Sequence, residues 1–258
     1  MGEVYRAEDS TLEREVALKI LPAELASSGE FLDRFRREAK VLATLDHPNI
    51  VTVFTVESVE DIHFLTMQLV EGQQLSEMIP AGGMTLERLL DIAIPLTEAL
   101  QAAHHKGITH RDLKPANVMV SGEGRVKILD FGLAKLRSEV EPTVAAEAPT
   151  ELLTGEGRIL GTVPYMSPEQ ARGEDLDART DLFSLGVVLY EMATGSQPFT
   201  GRTPAAIFDE ILHQPPAPIA RRNPDLPDDF QHIVDKALEK DRDLRYHSAD
   251  ELLSDLRR

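Results

Sequence analysis

The 258 residues contain no cysteine and no tryptophan, and only 5% of them are aromatic. Without cysteine there is no disulfide framework, no thiolate metal site and no thiol nucleophile. Positive charge is scarce: 27 Lys and Arg stand against 44 Asp and Glu, a formal net charge of −17. That balance argues against a chain that wraps nucleic acid by neutralising phosphates over a broad surface. Long apolar runs are missing too. The run at 182–190 is far shorter than the roughly 20 residues that cross a bilayer. The opening MGEVYRAED carries Glu3, Arg6, Glu8 and Asp9 where a secretion signal needs an apolar stretch. Arg6 also occupies the position at which a myristoylation motif wants Ser or Thr. The expected location is the cytoplasm, with a membrane anchor left to a longer parent protein. What is present, 42% hydrophobic residues, suffices for one large domain or two lobes with a real core.

Residues 4–21 read as two short strands around a polar turn, and a period of two in EVALKIL places Val16, Leu18 and Ile20 on an expected core face, with Ala17 and Lys19 on the other. Phe31, Phe35, Ala39 and Leu42 recur at helical spacing with Glu38 beside the stripe. A carboxylate there wants a cation. Residues 50–56 and 62–70 read as further strands, the second ended by Gly72. Beyond them the pattern turns helical. Ile92, Leu96, Leu100 and Ala103 form one stripe, Phe230, Ile233, Val234, Ala237 and Leu238 another. Ser248 and Glu251 form a capping box before Leu252, Leu253 and Leu256. Residues 182–192 are apolar almost all round, as in a helix buried centrally. Residues 117–120 and 125–129 suit a hairpin. Residues 135–161 form a long loop of the length that carries function, and the Pro-rich stretch 214–227 is read as a connector.

The chemistry concentrates in HRDLKPANV (residues 110–118) and, thirteen residues after Asn117, DFG (residues 130–132). An acid, a lysine two positions on, an amide three further and a second acid at a strand end supply what phosphoryl transfer needs: a group to orient a hydroxyl, a cation for phosphate, and oxygen ligands for magnesium. On these residues the sequence resembles the eukaryotic-type (Hanks-type) serine/threonine protein kinases, bacterial branch. The resemblance runs through nearly the whole chain in the right order. Any one motif could arise by chance; the ordered set is specific. It implies an α+β, bilobal protein-kinase-like fold: a small antiparallel-sheet N-lobe with one helix (1–67), a hinge (68–72) and a mainly helical C-lobe (73–258), with an activation segment at 130–169. It implies ATP and Mg2+ as cofactors and Ser/Thr hydroxyls of proteins as acceptors, with self-association for autophosphorylation in trans and no role for nucleic acid.

Residue by residue, the resemblance implies that Lys19 contacts the nucleotide phosphates and pairs with Glu38. Asp112 accepts or orients the substrate hydroxyl proton, Lys114 steadies the transferred phosphate, and Asn117 and Asp130 hold magnesium. Val4, Ala17, Met67, Met119 and Leu129 line the adenine pocket, with Gln68 to Val70 as hinge and Met67 as gatekeeper. Thr162 belongs to the substrate-side loop of the Ser/Thr branch. Glu169, in SPE where the family has APE, pairs with Arg245 as a structural ion pair. Arg111 marks the class in which a phosphate on the activation loop pairs with that arginine. Thr154 is the favoured phosphosite, with Thr150, Thr143 and Ser138 as further candidates. His110 is read as packing on Phe131, and His104 and His105 as solvated or capping groups.

The glycine-rich loop departs from the pattern. Of the glycine-rich GxGxxGxV loop only Gly2 and Val4 remain, which reads as truncation within that loop. Its missing backbone N–H groups weaken the grip on phosphate. The alternative function is therefore a truncated kinase fragment or pseudokinase-like scaffold with weak or no catalysis. A small-molecule phosphotransferase of the aminoglycoside-kinase type is set aside, because Arg111, Lys114 and the stretch 161–169 do not suit it.

Overall fold

A computed structural model describes residues 3–22, 29–60, 62–131 and 162–258. Its first lobe is built on an antiparallel sheet of order β1-β2-β4-β3. Strands β1 (Val4–Asp9) and β2 (Arg14–Ile20) form a hairpin. Asp9 closes its turn by accepting the backbone N–H groups of Thr11 (3.2 Å) and Leu12 (3.1 Å), the role for which short acidic side chains are favoured in turns. Helix α1 (Gly29–Leu42) follows, then β3 (Val53–Val59) and β4 (Ile62–Gln68). Compared with the expected 50–56 and 62–70, β3 is shifted three residues along the chain and β4 ends two residues early, at Gln68.

The register corrects the expected core face of β2. Val4 pairs with Lys19, Lys19 with Leu65, and Ala17 with Met67. Directly opposed residues project to the same side of a sheet, so Val4, Ala17, Lys19, Leu65 and Met67 share one face. Ala17, Leu65 and Met67 pack there with Leu21, Val51 and Phe35 of α1 as the small core of the lobe. Val16 is buried on the other face, but Leu18 and Ile20 are only half-buried. Alternation alone misleads here because an alanine and the aliphatic stem of a lysine look polar beside Val, Leu and Ile, yet fit beneath a helix. On α1, Phe35, Ala39 and Leu42 are buried as the stripe requires; the side chain of Phe31 lies outside the described residues.

The second lobe opens with β5 (Gln73–Gln74) and the single turn α2 (Leu75–Met78), then α3 (Leu86–His104). Ile92, Leu96, Leu100 and Ala103 of α3 are completely buried. A 3₁₀ turn (Pro115–Asn117) leads into β6 (Val118–Val120), which with β7 (Val126–Ile128) completes a sheet of order β5-β6-β7. Asn117 thus precedes the hairpin strand it was expected to open. After a second 3₁₀ turn (Val163–Tyr165) come α4 (Pro168–Arg172), α5 (Arg179–Thr194), α6 (Pro204–His213), a 3₁₀ turn (Ile219–Arg221), α7 (Asp228–Ala237) and α8 (Ala249–Leu256). Helix α5 is buried nearly all round, as its almost wholly apolar run demands. It packs against α3 and α7, and a methyl on Gly186 would lie 2.8 Å from the Ala237 Cβ, so glycine sets that helix separation. At α8, Ser248 Oγ accepts from Glu251 N, but Glu251 returns its bond to His247 N rather than to Ser248.

The lobes are stitched together by the segment before β3. Val51 N donates to Ile128 O (3.0 Å), Ile128 N to Asn49 O (2.8 Å), and Asn49 Nδ2 to Val126 O (2.8 Å). Deeper in the second lobe Arg245 makes a two-point pair with Glu169 (2.8 and 3.1 Å) and also donates to Arg179 O (2.7 Å). Thr180 Oγ1 adds a bond to Glu169 Oε1 at 2.9 Å. Both charges are fully buried, so each depends on the other for its solvation. Arg245→Met is expected to destabilise the protein by about 3–5 kcal/mol, read in thermal melts, and the double variant Glu169→Leu/Arg245→Met to recover much of that loss. A double variant no more stable than the single one would contradict this account of the pair.

Candidate active site

The catalytic-looking residues sit on the stretch between α3 and β6, whose backbone is held from beneath. Asp181, fully buried at the start of α5, accepts His110 N at 2.7 Å and Arg111 N at 2.8 Å. His104 Nε2 completes its shell at 2.8 Å. Burial by itself raises the Asp181 carboxyl, but the bond and charge of His104 and the N–H of His110 outweigh it and hold it below the ordinary carboxylate range. His104 is therefore neither solvated nor a helix cap: its ring is buried against Asp181. His110 packs edge-on against Phe131, ring centroids 4.7 Å apart. Its Nε2 meets Leu129 O at 2.8 Å and its Nδ1 accepts Asp112 N at 3.2 Å, an arrangement satisfied by the neutral Nε2–H tautomer. Both ring nitrogens are occupied by structure.

Asp112 stands above this base. Lys114 Nζ lies 2.9 Å from Asp112 Oδ2 and 2.7 Å from Thr162 Oγ1. Asn117 Nδ2 donates to Asp112 O (2.8 Å) and to its Oδ2 (3.2 Å). Across the cleft, Lys19 Nζ lies 2.7 Å from Asp130 Oδ1, so the ion pair at this lysine is with Asp130, where the resemblance implied Glu38. Glu38 has one carboxylate oxygen fully buried and interactions of its own. The pair forms because β2 and the second residue after β7 meet at the same cleft. Arg111 and Asp130 both take left-handed backbone angles, φ 66° and 58°. For residues other than glycine such conformations cluster where function over-determines the backbone.

Around the cleft, Ala17 and Met67 are buried in the first-lobe core with Val70 and Leu129 half-buried against it. Val4 is exposed on the same sheet face, Gln68 ends β4, and Met119 lies on β6. Behind Met67 a small cavity is lined by Leu42, Ile50, Val53, Leu65, Asp130 and Phe131 among others, a feature no single motif announces. Gly2 and the candidate phosphosites Thr154, Thr150, Thr143 and Ser138 lie outside the described residues. Arg111 Nε is bonded to Thr109 Oγ1 at 2.9 Å. The segment after Thr162 is fastened to α5: Tyr165 donates to Glu191 Oε2 (2.6 Å) and Ser184 to Tyr165 O (2.8 Å). Burial pushes both the Tyr165 hydroxyl and the Glu191 carboxyl upward.

Among the described residues no three metal-binding side chains cluster together. The donor set nevertheless suits magnesium, which commonly uses one or two protein oxygens and completes its shell with water and substrate phosphate. With its nitrogen turned to Asp112, Asn117 presents its amide oxygen to the opposite side. Asp130 offers a carboxylate.

Three comparisons bear on this geometry. The family model described as protein kinase domain matches residues 1–256. A probable serine/threonine-protein kinase of Streptomyces coelicolor is 43% identical across 99% of this chain and 37% of its own length. The serine/threonine-protein kinase PknB of Mycolicibacterium smegmatis is 40% identical across 99% of this chain and 40% of its own. The chain thus spans about two fifths of the length of these relatives. Among solved structures, the kinase domain of Mycobacterium tuberculosis PknI superposes with a TM-score of 0.75 at 27% identity, covering 100% of this chain and 90% of that one.

The Asp181 shell predicts how the molecule responds to acid. A carboxyl held below its unfolded value stabilises the fold fully above that value, and loses the contribution as pH falls through the folded one; Glu169, held down by Arg245 against the cost of its own burial, behaves alike. Wild-type melting temperature is expected to show no effect of these groups near neutrality and to drop below about pH 4. Asp181→Asn should start lower at pH 7 and fall less steeply. An equally steep acid limb in the variant would show that Asp181 is not among the groups responsible.

Proposed function

Since the chain belongs to the protein kinase domain family, we propose that it transfers the γ-phosphoryl group of ATP to Ser and Thr hydroxyls of proteins, its own 130–169 segment included. The observation that carries the reading is the convergence of Asp112, Lys114, Asn117 and Thr162 through bonds of 2.7–3.2 Å, facing Lys19 and Asp130 across the cleft. In the transfer, the bond from the γ-phosphorus to the bridging oxygen of ADP breaks and a bond to the acceptor oxygen forms. The acceptor's proton passes to the Asp112 carboxylate. Lys114, already against Asp112 and Thr162, neutralises charge on the moving phosphoryl group, and Lys19 takes the other phosphates. Asn117 and Asp130 would hold Mg2+, which supplies charge neutralisation at the phosphates. Most of the acceleration then comes from positioning and preorganised charge.

The acceptors are proteins bearing Ser or Thr, and a second copy is the natural first acceptor because modification of residues 138–154 in trans requires self-association. No described helix is long and apolar enough to cross a membrane; a cytoplasmic position, free or beneath the membrane anchor of a longer parent, fits the reading. One observation favours the second reading, a nucleotide-poor scaffold: Lys19 and Asp130 are spent on each other. Intact-mass analysis of phosphatase-treated protein incubated with magnesium and ATP separates the two. The wild type should gain phosphates mapping to 138–154. Asp112→Asn should transfer about 10²–10⁴-fold more slowly while still binding nucleotide, and Asp130→Asn should lose magnesium dependence together with activity. Full activity in Asp112→Asn would refute the role given to that carboxylate, and a silent wild type would favour the scaffold.

A further inference from the structure

The backbone of Arg111, next to Asp112, is gripped on both sides of its Cα. Its N–H donates to Asp181 Oδ1 at 2.8 Å. Its carbonyl accepts Gln170 Nε2, also at 2.8 Å. Gln170 belongs to α4, in the segment that follows Thr162, and is separated from Arg111 by 59 residues of chain. The other end of the same amide is equally committed: Gln170 Oε1 accepts Ser167 N at 2.9 Å, while Ser167 Oγ accepts Gln170 N at 3.2 Å. The Ser167–Gln170 capping box therefore leaves the glutamine's two N–H groups free to reach outward. Amide orientation is settled by the partners, since a backbone N–H can only donate and a carbonyl can only accept. No other side chain type spans both: Glu fills the cap equally well but has no N–H to give.

From this we infer that Gln170 is a positioning residue for phosphoryl transfer, holding the left-handed Arg111 conformer and hence the aim of the Asp112 carboxylate from the substrate-side segment. Asp181 fixes the peptide before Arg111, while the peptide after it is held by Asp112 N on His110 Nδ1 (3.2 Å) and by Gln170 on its carbonyl (2.8 Å); a left-handed non-glycine conformer persists only where its surroundings over-determine it. Gln170 also couples two parts of the site. Thr162 and Gln170 lie on one short segment, and that segment touches the catalytic loop twice, at Lys114 through Thr162 and at Arg111 through Gln170. Seating of this segment and alignment of Asp112 are then one event.

The inference rests on the phosphotransferase reading, and its test keeps the two apart. Gln170→Glu preserves the cap and sets a carboxylate oxygen against the Arg111 carbonyl; Gln170→Met removes both bonds without adding charge; Ser167→Ala weakens the cap and leaves the Gln170–Arg111 bond. Steady-state kinetics with a protein acceptor are expected to show kcat reduced about 10- to 100-fold in both Gln170 variants with KM for ATP unchanged, and kcat near wild type in Ser167→Ala despite a lower melting temperature. Amide hydrogen exchange, which needs no activity, should speed up at residues 109–112 in the Gln170 variants and not in Ser167→Ala. Unchanged kcat and unchanged exchange would overturn the inference and leave the kinase reading intact. Equal losses in Ser167→Ala would overturn it in favour of a purely structural cap. A wild type without phosphoryl transfer would refute the kinase reading instead, and the exchange pattern alone would then decide whether Gln170 holds the loop.

Discussion

A buried carboxylate with no water to solvate it must find donors, and in this molecule the donors found by Asp181 are the backbone of the catalytic loop itself. That single requirement orders much of the rest. Helix α5 has to be buried to hide Asp181, so α3, α7 and the turn carrying Arg245 enclose it. The loop from His110 to Asp112 has to lie across the start of α5, which puts one residue, Arg111, into a left-handed conformation. His104, at the end of α3, supplies the third donor and links the helix entering the loop to the helix beneath it. The proposed phosphotransfer residues are thus mounted on a deeply buried base, as precise positioning requires.

The cleft above this base is polar but not evenly so. Lys19 reaches from the first lobe and Asp130 from the second, and their contact closes across the lobes. Lys114 is bound twice on the second lobe. Each positive group therefore already has a carboxylate, in a chain whose formal charge is −17. Two lysines against two aspartates leave the cleft close to neutral at short range, where pairwise terms exceed the screened field of distant residues.

What was legible in the sequence follows from how local the signal is. Helix α5 could be read because residues 182–192 are apolar almost all round, and the hairpin of β1 and β2 because a polar turn separates two short strands. Asp112, Lys114, Asn117 and Asp130 were legible as an ordered set, and the structure brings the first three into hydrogen-bond contact. The misreadings share one cause: the deciding partner is distant in sequence. Alternation in β2 groups Ala17 with Lys19 correctly but cannot say which side α1 will cover, so the core face it suggests is the wrong one. His104 finds Asp181 77 residues on, and Gln170 finds Arg111 from 59 residues away. The choice of Asp130 as the partner of Lys19, where the resemblance implied Glu38, joins two residues far apart in sequence.

That choice has an energetic consequence for ligand entry. Lys19 and Asp130 are each largely withdrawn from water, their side chains 12% and 24% exposed, so parting them without replacement leaves two poorly solvated charges. On the proposed kinase reading, nucleotide phosphate alone would satisfy Lys19 and set a second anion beside Asp130, and a divalent cation alone would satisfy Asp130 and leave Lys19 beside a cation. Only the two together would compensate both ends of the broken pair. The ion pair would then favour joint entry of metal and nucleotide over either one separately, by the balance of charge in the cleft.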